Sequence, residues 1–124
     1  MKRDIVERKD IDLLMKFFYD KLLADETISY IFTDVAKINI DEHLPVIADF
    51  WESVLLHKNV YHNNTMKIHL DLNNKSTLQK SHFETWLRYF TETLDELFEG
   101  NTALLAKQRA VSIATVMQIK IKEQ

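Results

Sequence analysis

The scarcity of turn residues is the strongest constraint on how this chain can fold. One glycine, Gly100, and one proline, Pro45, occur in 124 residues. Sheet proteins of this length need several such residues to reverse the chain between strands. The sequence therefore predicts an all-α fold. A chain of 124 residues closes one hydrophobic core and has little left for a second, so we expect a single domain over residues 1–124.

The composition excludes several classes of function. Sixteen Lys and Arg are interspersed with 19 Asp and Glu, for a net charge of -3, so no basic stripe is available for a phosphate backbone. The chain has no cysteine, which excludes disulfides, thiolate zinc sites and iron–sulfur clusters. No segment approaches the ~20 apolar residues of a membrane span, and residues 1–10 lack the apolar run of a signal peptide. We expect a cytoplasmic protein that binds neither nucleic acid nor a membrane.

Apolar residues recur at helical steps of three and four along most of the chain. This periodicity predicts four substantial helices and one short one. Their expected ranges are about 10–25, 27–32, 43–54, 81–100 and 102–120. Residues 59–81 lack sustained periodicity and contain two Asn pairs, which indicates a long connection with one short helix near 65–70. A connection of that length in a compact domain usually serves a function.

Polar residues beside the apolar stripes predict where three helices begin. Thr27 is the expected N-cap of the short helix. Asp41 is the expected N-cap of the next helix, because Pro45 is tolerated only in or near a first turn. Ser81 with Glu84 three residues later has the capping-box pattern.

Several kinds of metal and phosphate site are excluded by the residues that such a helical chain lacks. No Glu-x-x-His pair is present for a di-iron bundle, and the five histidines form no His-x-x-x-His pair. The glycines of a phosphate-binding loop are missing as well. What remains is an aromatic-rich helical chain whose interior could be filled by a flat prosthetic group. A haem needs one axial imidazole, an apolar cleft and a few polar side chains near the bound ligand, and the chain offers each of these.

Several segments, taken in order, resemble the group III truncated haemoglobins. The resemblance extends from about residue 10 to residue 120, and the absence of the glycine motifs typical of groups I and II favours group III. The matching segments are Phe17-Phe18-Tyr19, Ile31-Phe32, His43 with Phe50-Trp51, His69-Leu70, His82-Phe83-Glu84-Thr85-Trp86-Leu87, Arg109-Ala110, Ile113-Ala114 and Met117.

The resemblance implies a truncated globin fold, a two-over-two helical sandwich around haem b. His69 would bind the iron through Nε2 and leave it five-coordinate, while its Nδ1–H bonds a backbone carbonyl or water. His57 and His62 are the alternative ligands, closer to the end of the preceding helix. The candidate partners of the haem propionates, among which the sequence does not choose, are Lys75, Thr77, Lys80 and Arg88.

The resemblance also implies a distal pocket. Tyr19 would donate a hydrogen bond to a bound diatomic ligand, His43 would be the gate residue, and Trp86 would add an indole donor. Both His43 and Trp86 could instead be ordinary core or surface residues. If the Tyr19 hydroxyl faces water, Tyr30, Tyr61 and Tyr89 are equal candidates for the donor. The side chains expected to lie against the porphyrin are those of Phe32, Ile47, Trp51 and Trp86.

The function that the resemblance implies is reversible binding of dioxygen and other diatomic gases, with a reductase or other electron donor as a further partner. Several distal donors also suit redox chemistry on oxygen, nitric oxide or peroxide, so a nitric oxide dioxygenase or peroxidase-like activity stays open. The rival is a cofactor-free helical interaction module in which Trp51 and Trp86 are core and His69 is incidental. Haem transport or sensing would require a partner surface that the sequence does not identify.

Overall fold

Helices account for most of the described chain. The computed structural model describes residues 2–35, 37–56 and 78–122. In these ranges the elements are α1 (Arg8–Ala24), α2 (Glu26–Tyr30), a π-helical turn (Ile31–Val35), α3 (Ile40–Leu56), α4 (Lys80–Leu97) and α5 (Asn101–Lys122). No strand occurs in these ranges, so the predicted all-α class is confirmed. None of the described helices is long and apolar enough to cross a membrane.

The first helix begins two residues earlier than the periodicity predicts. Its N-cap is Glu7, which forms a capping box with Asp10. The Asp10 carboxylate also accepts the backbone N–H of Val6 at 2.9 Å and that of Glu7 at 3.1 Å. The predicted apolar stripe of α1 is buried at Ile11, Leu14, Met15, Phe18 and Leu22. Phe17, which the periodicity also puts on this stripe, is 41% exposed, and Tyr19 is buried instead.

The predicted N-caps of the next two helices are wrong by two residues each. Asp25, rather than Thr27, caps α2, and its Oδ1 accepts the Thr27 N–H at 2.9 Å. Helix α3 begins at Ile40, so Asp41 lies inside it. Pro45 is consequently in the helix interior, where it has no N–H to donate to the carbonyl of Asp41.

The fourth helix also begins earlier than predicted. Gln79 is its N-cap in place of Ser81, and the capping box pairs Gln79 with His82 rather than Ser81 with Glu84. The side-chain nitrogen of histidine replaces the usual carboxylate or amide oxygen at the third helical position. This geometry fixes the direction of the His82 ring.

The amino end of α5 is held by the N-terminal segment. Asp4 accepts the backbone N–H of Thr102 and of Ala103, both at 2.9 Å. Gly100 permits this contact, because its φ is +146° and a Cβ there would lie 2.5 Å from the Asp4 Cγ. Asp4 thus caps a helix about a hundred residues away along the chain.

The helices pack as two pairs that share one core. Helix α1 contacts both α3 and α4, and α4 contacts α5. Four buried alanines on α5, each 4% exposed or less, let α4 approach closely. They are Ala103, Ala106, Ala110 and Ala114.

Candidate ligand-binding cleft

An apolar cleft lies between the helices, with about 860 Å³ of space including its open mouth. Among the described residues, the polar groups of the lining come from Tyr19, His82 and the indoles of Trp51 and Trp86, and the other lining side chains are apolar. The lining is Phe18, Tyr19, Ile28, Ile31, Phe32, Ile47, Phe50, Trp51, Leu78, His82, Phe83, Trp86, Ile113, Ala114 and Met117.

The structure brings most of the residues singled out from the sequence to this one cleft. Those that line it are Tyr19, Phe32, Ile47, Trp51 and Trp86. His43 joins them through a hydrogen bond to Tyr19. What these side chains do toward a cofactor stays a prediction.

Tyr19 and His43 form a hydrogen-bonded pair that connects α1 to the first part of α3. The Tyr19 Oη lies 3.0 Å from the His43 Nε2, and the two rings meet edge to face at 83°. Tyr19 is 5% exposed, and burial raises the pKa of its hydroxyl, so the group stays a neutral phenol. The pair therefore holds a protonated hydroxyl at the cleft wall.

The direction of that hydrogen bond depends on the tautomer of His43. A phenol both donates and accepts, whereas each nitrogen of a neutral imidazole does one or the other. When the His43 Nε2 carries the proton, it donates to the Tyr19 Oη, and the hydroxyl hydrogen of Tyr19 is left to donate into the cleft. When it does not, the Tyr19 hydroxyl donates to His43 instead. One tautomer thus prepares Tyr19 to bind a ligand.

Aromatic stacking holds the two tryptophans of the cleft. Phe90 stacks on Trp51 with centroids 4.8 Å apart and on Trp86 with centroids 5.5 Å apart. Phe18 meets Phe90 and Trp86 edge to face, at 5.2 Å and 5.7 Å. These geometries are the favourable ones for aromatic pairs, so the rings form a rigid wall.

A second tyrosine–histidine pair joins the end of α2 to the start of α4. The Tyr30 Oη lies 3.1 Å from the Nε2 of His82, which lines the cleft. The His82 Nδ1 accepts the backbone N–H of Gln79 at 3.0 Å. Sequence reasoning quoted His82 only as part of a family segment and gave it no role.

Other cleft residues were also missed as site residues. Phe83, Ile113, Ala114 and Met117 line the cleft. All four lie on apolar helix faces that the periodicity identified. A face pattern shows which side of a helix is buried, but it does not separate residues that face a cleft from those that face another helix.

The proposed axial ligand and several alternatives lie outside the described residues. These are His57, His62, His69, Lys75 and Thr77. The two described propionate candidates are on the surface and do not line the cleft. Lys80 is paired with Glu84 at 3.7 Å, and the Arg88 guanidinium lies over the ring of Tyr89.

Comparison with known proteins gives the family. No family model matches the chain. It is 31% identical over 121 residues to the group 3 truncated hemoglobin ctb of Campylobacter jejuni, which covers 95% of this chain and 93% of that protein. The crystal structure of a group III truncated hemoglobin from Campylobacter jejuni superposes with a TM-score of 0.86 at 29% identity, over 98% of this chain and 95% of that one. The chain therefore belongs to the group III truncated haemoglobins, whose fold it shares and whose membership implies a haem cofactor.

Proposed function

We propose that this protein binds dioxygen and other diatomic ligands reversibly at a haem b whose iron is held by His69. The observation that carries the proposal is the Tyr19–His43 pair, which sets a buried, protonated hydroxyl in the wall of an apolar cleft. When bound, the haem would supply an open iron coordination position. The chain supplies the environment around that position.

The lining of the cleft suits a flat, largely apolar tetrapyrrole. Phe32 and Ile47 offer apolar surface, and Trp51 and Trp86 offer aromatic rings that are held in place by stacking on Phe90. Burial of apolar ligand surface contributes roughly 25 cal/mol per Å². A cleft of this kind supports tight binding without a large number of polar contacts.

Tyr19 would slow the escape of a polar diatomic ligand. A hydrogen bond to a group that carries partial charge contributes about 1.5–3 kcal/mol when it is shielded from water. That range corresponds to a factor of about ten or more in the dissociation rate. His43 sustains this role when its Nε2–H donates to the Tyr19 Oη, because the hydroxyl hydrogen is then free to turn to the ligand.

Redox chemistry on oxygen, nitric oxide or peroxide is the second candidate. It is favoured by the indole of Trp86, which lines the same cleft as Tyr19 and adds another N–H donor. Preorganised donors stabilise charge that develops on a reacting ligand. Such an activity requires an electron donor, for which a reductase is the natural class of partner.

The test is an absorption spectrum of the purified protein with added hemin, reduced and exposed to carbon monoxide. We expect a sharp haem band in the native protein, its loss in His69→Gly, and its return when free imidazole is added to that variant. His62→Gly is the matched control and should keep the native spectrum. A native protein that binds no hemin overturns the proposal, and a His62→Gly variant that loses the band while His69→Gly keeps it overturns the choice of ligand.

A further inference from the structure

Tyr30 and His82 form a polar pair that reaches the cleft through His82 and that gas binding does not use. Tyr30 ends α2, His82 lies in the first turn of α4, and the His82 ring lines the cleft. The Tyr30 Oη and the His82 Nε2 are 3.1 Å apart. The hydrogen bond at the other ring nitrogen of His82, Nδ1, determines which of these two atoms donates.

A backbone amide fixes the tautomer of His82. The N–H of Gln79 points to the His82 Nδ1 at a distance of 3.0 Å. A backbone N–H can only donate, so Nδ1 is an unprotonated acceptor and the proton of the neutral ring is on Nε2. Burial lowers the pKa of His82, which favours this neutral form. The Nε2–H therefore donates to the hydroxyl oxygen of Tyr30.

This direction leaves the hydrogen of the Tyr30 hydroxyl available. Among the described residues, His82 is the one hydrogen-bond partner of that hydroxyl. The bonds from Gln79 to His82 and from His82 to Tyr30 run in the same direction, and each polarises the next. The series ends in the O–H group of Tyr30, which lies beside the cleft-lining His82 and can donate one further hydrogen bond.

We propose that Tyr30, backed by His82, donates a hydrogen bond to a carboxylate of the tetrapyrrole bound in the cleft. The inference rests on the proposed function, since it assigns a partner to the same ligand. A carboxylate oxygen only accepts hydrogen bonds, and a bond to a charged acceptor is about twice as strong as a neutral one. An O–H donor that is already polarised by a histidine suits this acceptor.

The cationic side chains that the sequence left open are less suitable partners. The Lys80 side chain is 81% exposed and pairs with Glu84. The Arg88 side chain is 58% exposed and lies near Asp25, with its Nη2 3.9 Å from the carboxylate. Their partners Glu84, Asp25 and Tyr89 do not line the cleft, whereas Tyr30 is hydrogen-bonded to His82, which does.

The experiment measures the rate at which hemin leaves the protein for an excess of a haem-free acceptor protein. It uses two ligands, hemin and hemin dimethyl ester, whose carboxylates are blocked. It uses four proteins: native, Tyr30→Phe, His82→Leu and the control Tyr89→Phe. The Tyr89 hydroxyl donates to Asp25 at 2.5 Å, and Tyr89 does not line the cleft. Tyr30→Phe keeps the ring and removes only the hydroxyl.

We expect Tyr30→Phe and His82→Leu to lose hemin about ten- to a hundredfold faster than the native protein. With the dimethyl ester, the same variants should differ from the native protein by less than about threefold. Tyr89→Phe should match the native protein with both ligands. Nitrogen NMR of labelled native protein should show His82 protonated on Nε2 and not on Nδ1.

Three outcomes would overturn the inference. If the native protein and Tyr30→Phe lose hemin at equal rates, the Tyr30 hydroxyl does not bind a carboxylate of the tetrapyrrole. An equal acceleration with hemin and with its ester shows that the pair acts through packing alone. A native protein that binds no hemin removes the proposed function and this inference together, whereas native binding with unchanged variants removes the inference alone.

Discussion

The ring of Trp86 lies parallel to that of Phe90, with their centroids 5.5 Å apart and their planes at 5°. Phe90 also stacks on Trp51, yet it does not line the cleft itself. It is fully buried behind the two tryptophans that do. The wall of the cleft is therefore held from the core of the protein rather than from its surface.

Phe90→Ala should destabilise the protein by about 3–5 kcal/mol, because it leaves a cavity and releases both tryptophans. Urea unfolding of the hemin-free protein, followed by circular dichroism, measures this loss. Phe17→Ala is the matched control, since Phe17 lies on the same protein's surface with 41% exposure and should cost less than about 1 kcal/mol. Equal losses in the two variants would contradict a role for Phe90 as the support of the wall.

Tyr19→Phe should speed dioxygen dissociation from the reduced, hemin-loaded protein about tenfold or more. The change removes the one hydroxyl of the Tyr19–His43 pair but keeps the ring that packs beside Phe32, with centroids 5.7 Å apart. Stopped-flow absorption with carbon monoxide as the replacing ligand gives the rate. Tyr89→Phe should leave it unchanged. An unaltered rate in Tyr19→Phe would mean that a different group stabilises the bound ligand.

Periodicity identifies the helices and the buried side of each one, because both depend on which residues of a helix are apolar. Ile47 and Trp51, four residues apart on one face of α3, line the cleft together. Tyr19 did not follow from spacing. The family resemblance pointed to it, and in the structure it is buried next to Phe18 in α1.

Helix starts were less predictable because neighbouring polar residues compete for the cap. Asp25 and Thr27 are both suitable N-caps, and so are Gln79 and Ser81 to different degrees. Tertiary contacts decide between them. With Gln79 as the cap, His82 takes the third helical position, where its Nδ1 accepts the Gln79 N–H and its Nε2 lies beside the Tyr30 hydroxyl. With Ser81 as the cap, His82 would be the first helical residue and would not form this capping box.

Asp4→Ala should lower the free energy of unfolding by about 1 kcal/mol at pH 7, because α5 loses its N-terminal cap. Burial acts to raise the pKa of Asp4, but hydrogen bonds from the N–H groups of Thr102, Ala103 and Ile5 outweigh it and hold the pKa below its ordinary value. A carboxyl with a depressed folded pKa stabilises the protein above its unfolded pKa of about 3.9, and loses that effect as pH falls through the folded pKa.

The difference between native protein and Asp4→Ala should therefore shrink as the pH falls below about 4. Urea unfolding at several pH values measures it. Asp20→Ala is the control, because the one ion pair of Asp20 with a described residue is an exposed pair with Lys16 at 3.8 Å. A difference that stays constant down to pH 2 would show that the Asp4 carboxylate charge contributes nothing to the cap.

Arg8 should couple energetically to Glu52 across the α1–α3 interface. Its guanidinium donates to Asp49 at 2.7 Å, to Glu52 at 2.9 Å and to the carbonyl of Pro45 at 3.2 Å. In a double-mutant cycle with Arg8→Met and Glu52→Gln, we expect a coupling of roughly 0.5–1.5 kcal/mol at low salt, falling at 1 M salt. The exposed pair of Lys16 and Asp20 should show almost none. If the effects of Arg8→Met and Glu52→Gln on the free energy of unfolding are purely additive, the two side chains do not couple energetically.

Pro45→Ala should raise the free energy of unfolding by about 1–2 kcal/mol, since alanine supplies the N–H that the Asp41 carbonyl lacks inside α3. The proline separates the first turn of the helix, which carries His43, from the part that Arg8 holds. With the helix made continuous, His43 should leave its place beside Tyr19 less often. We therefore expect carbon monoxide to bind more slowly to the reduced, hemin-loaded variant, as measured by flash photolysis.

The control for this prediction is Pro45→Ala combined with His43→Leu, which should bind carbon monoxide as fast as His43→Leu alone. Equal rates in that comparison attribute the slow binding to His43 and exclude a general tightening of the cleft. A Pro45→Ala variant that is less stable than the native protein would show that the fixed φ of proline outweighs the missing hydrogen bond. A more stable variant with native binding kinetics would show that the first turn of α3 and the rest of the helix already move as one.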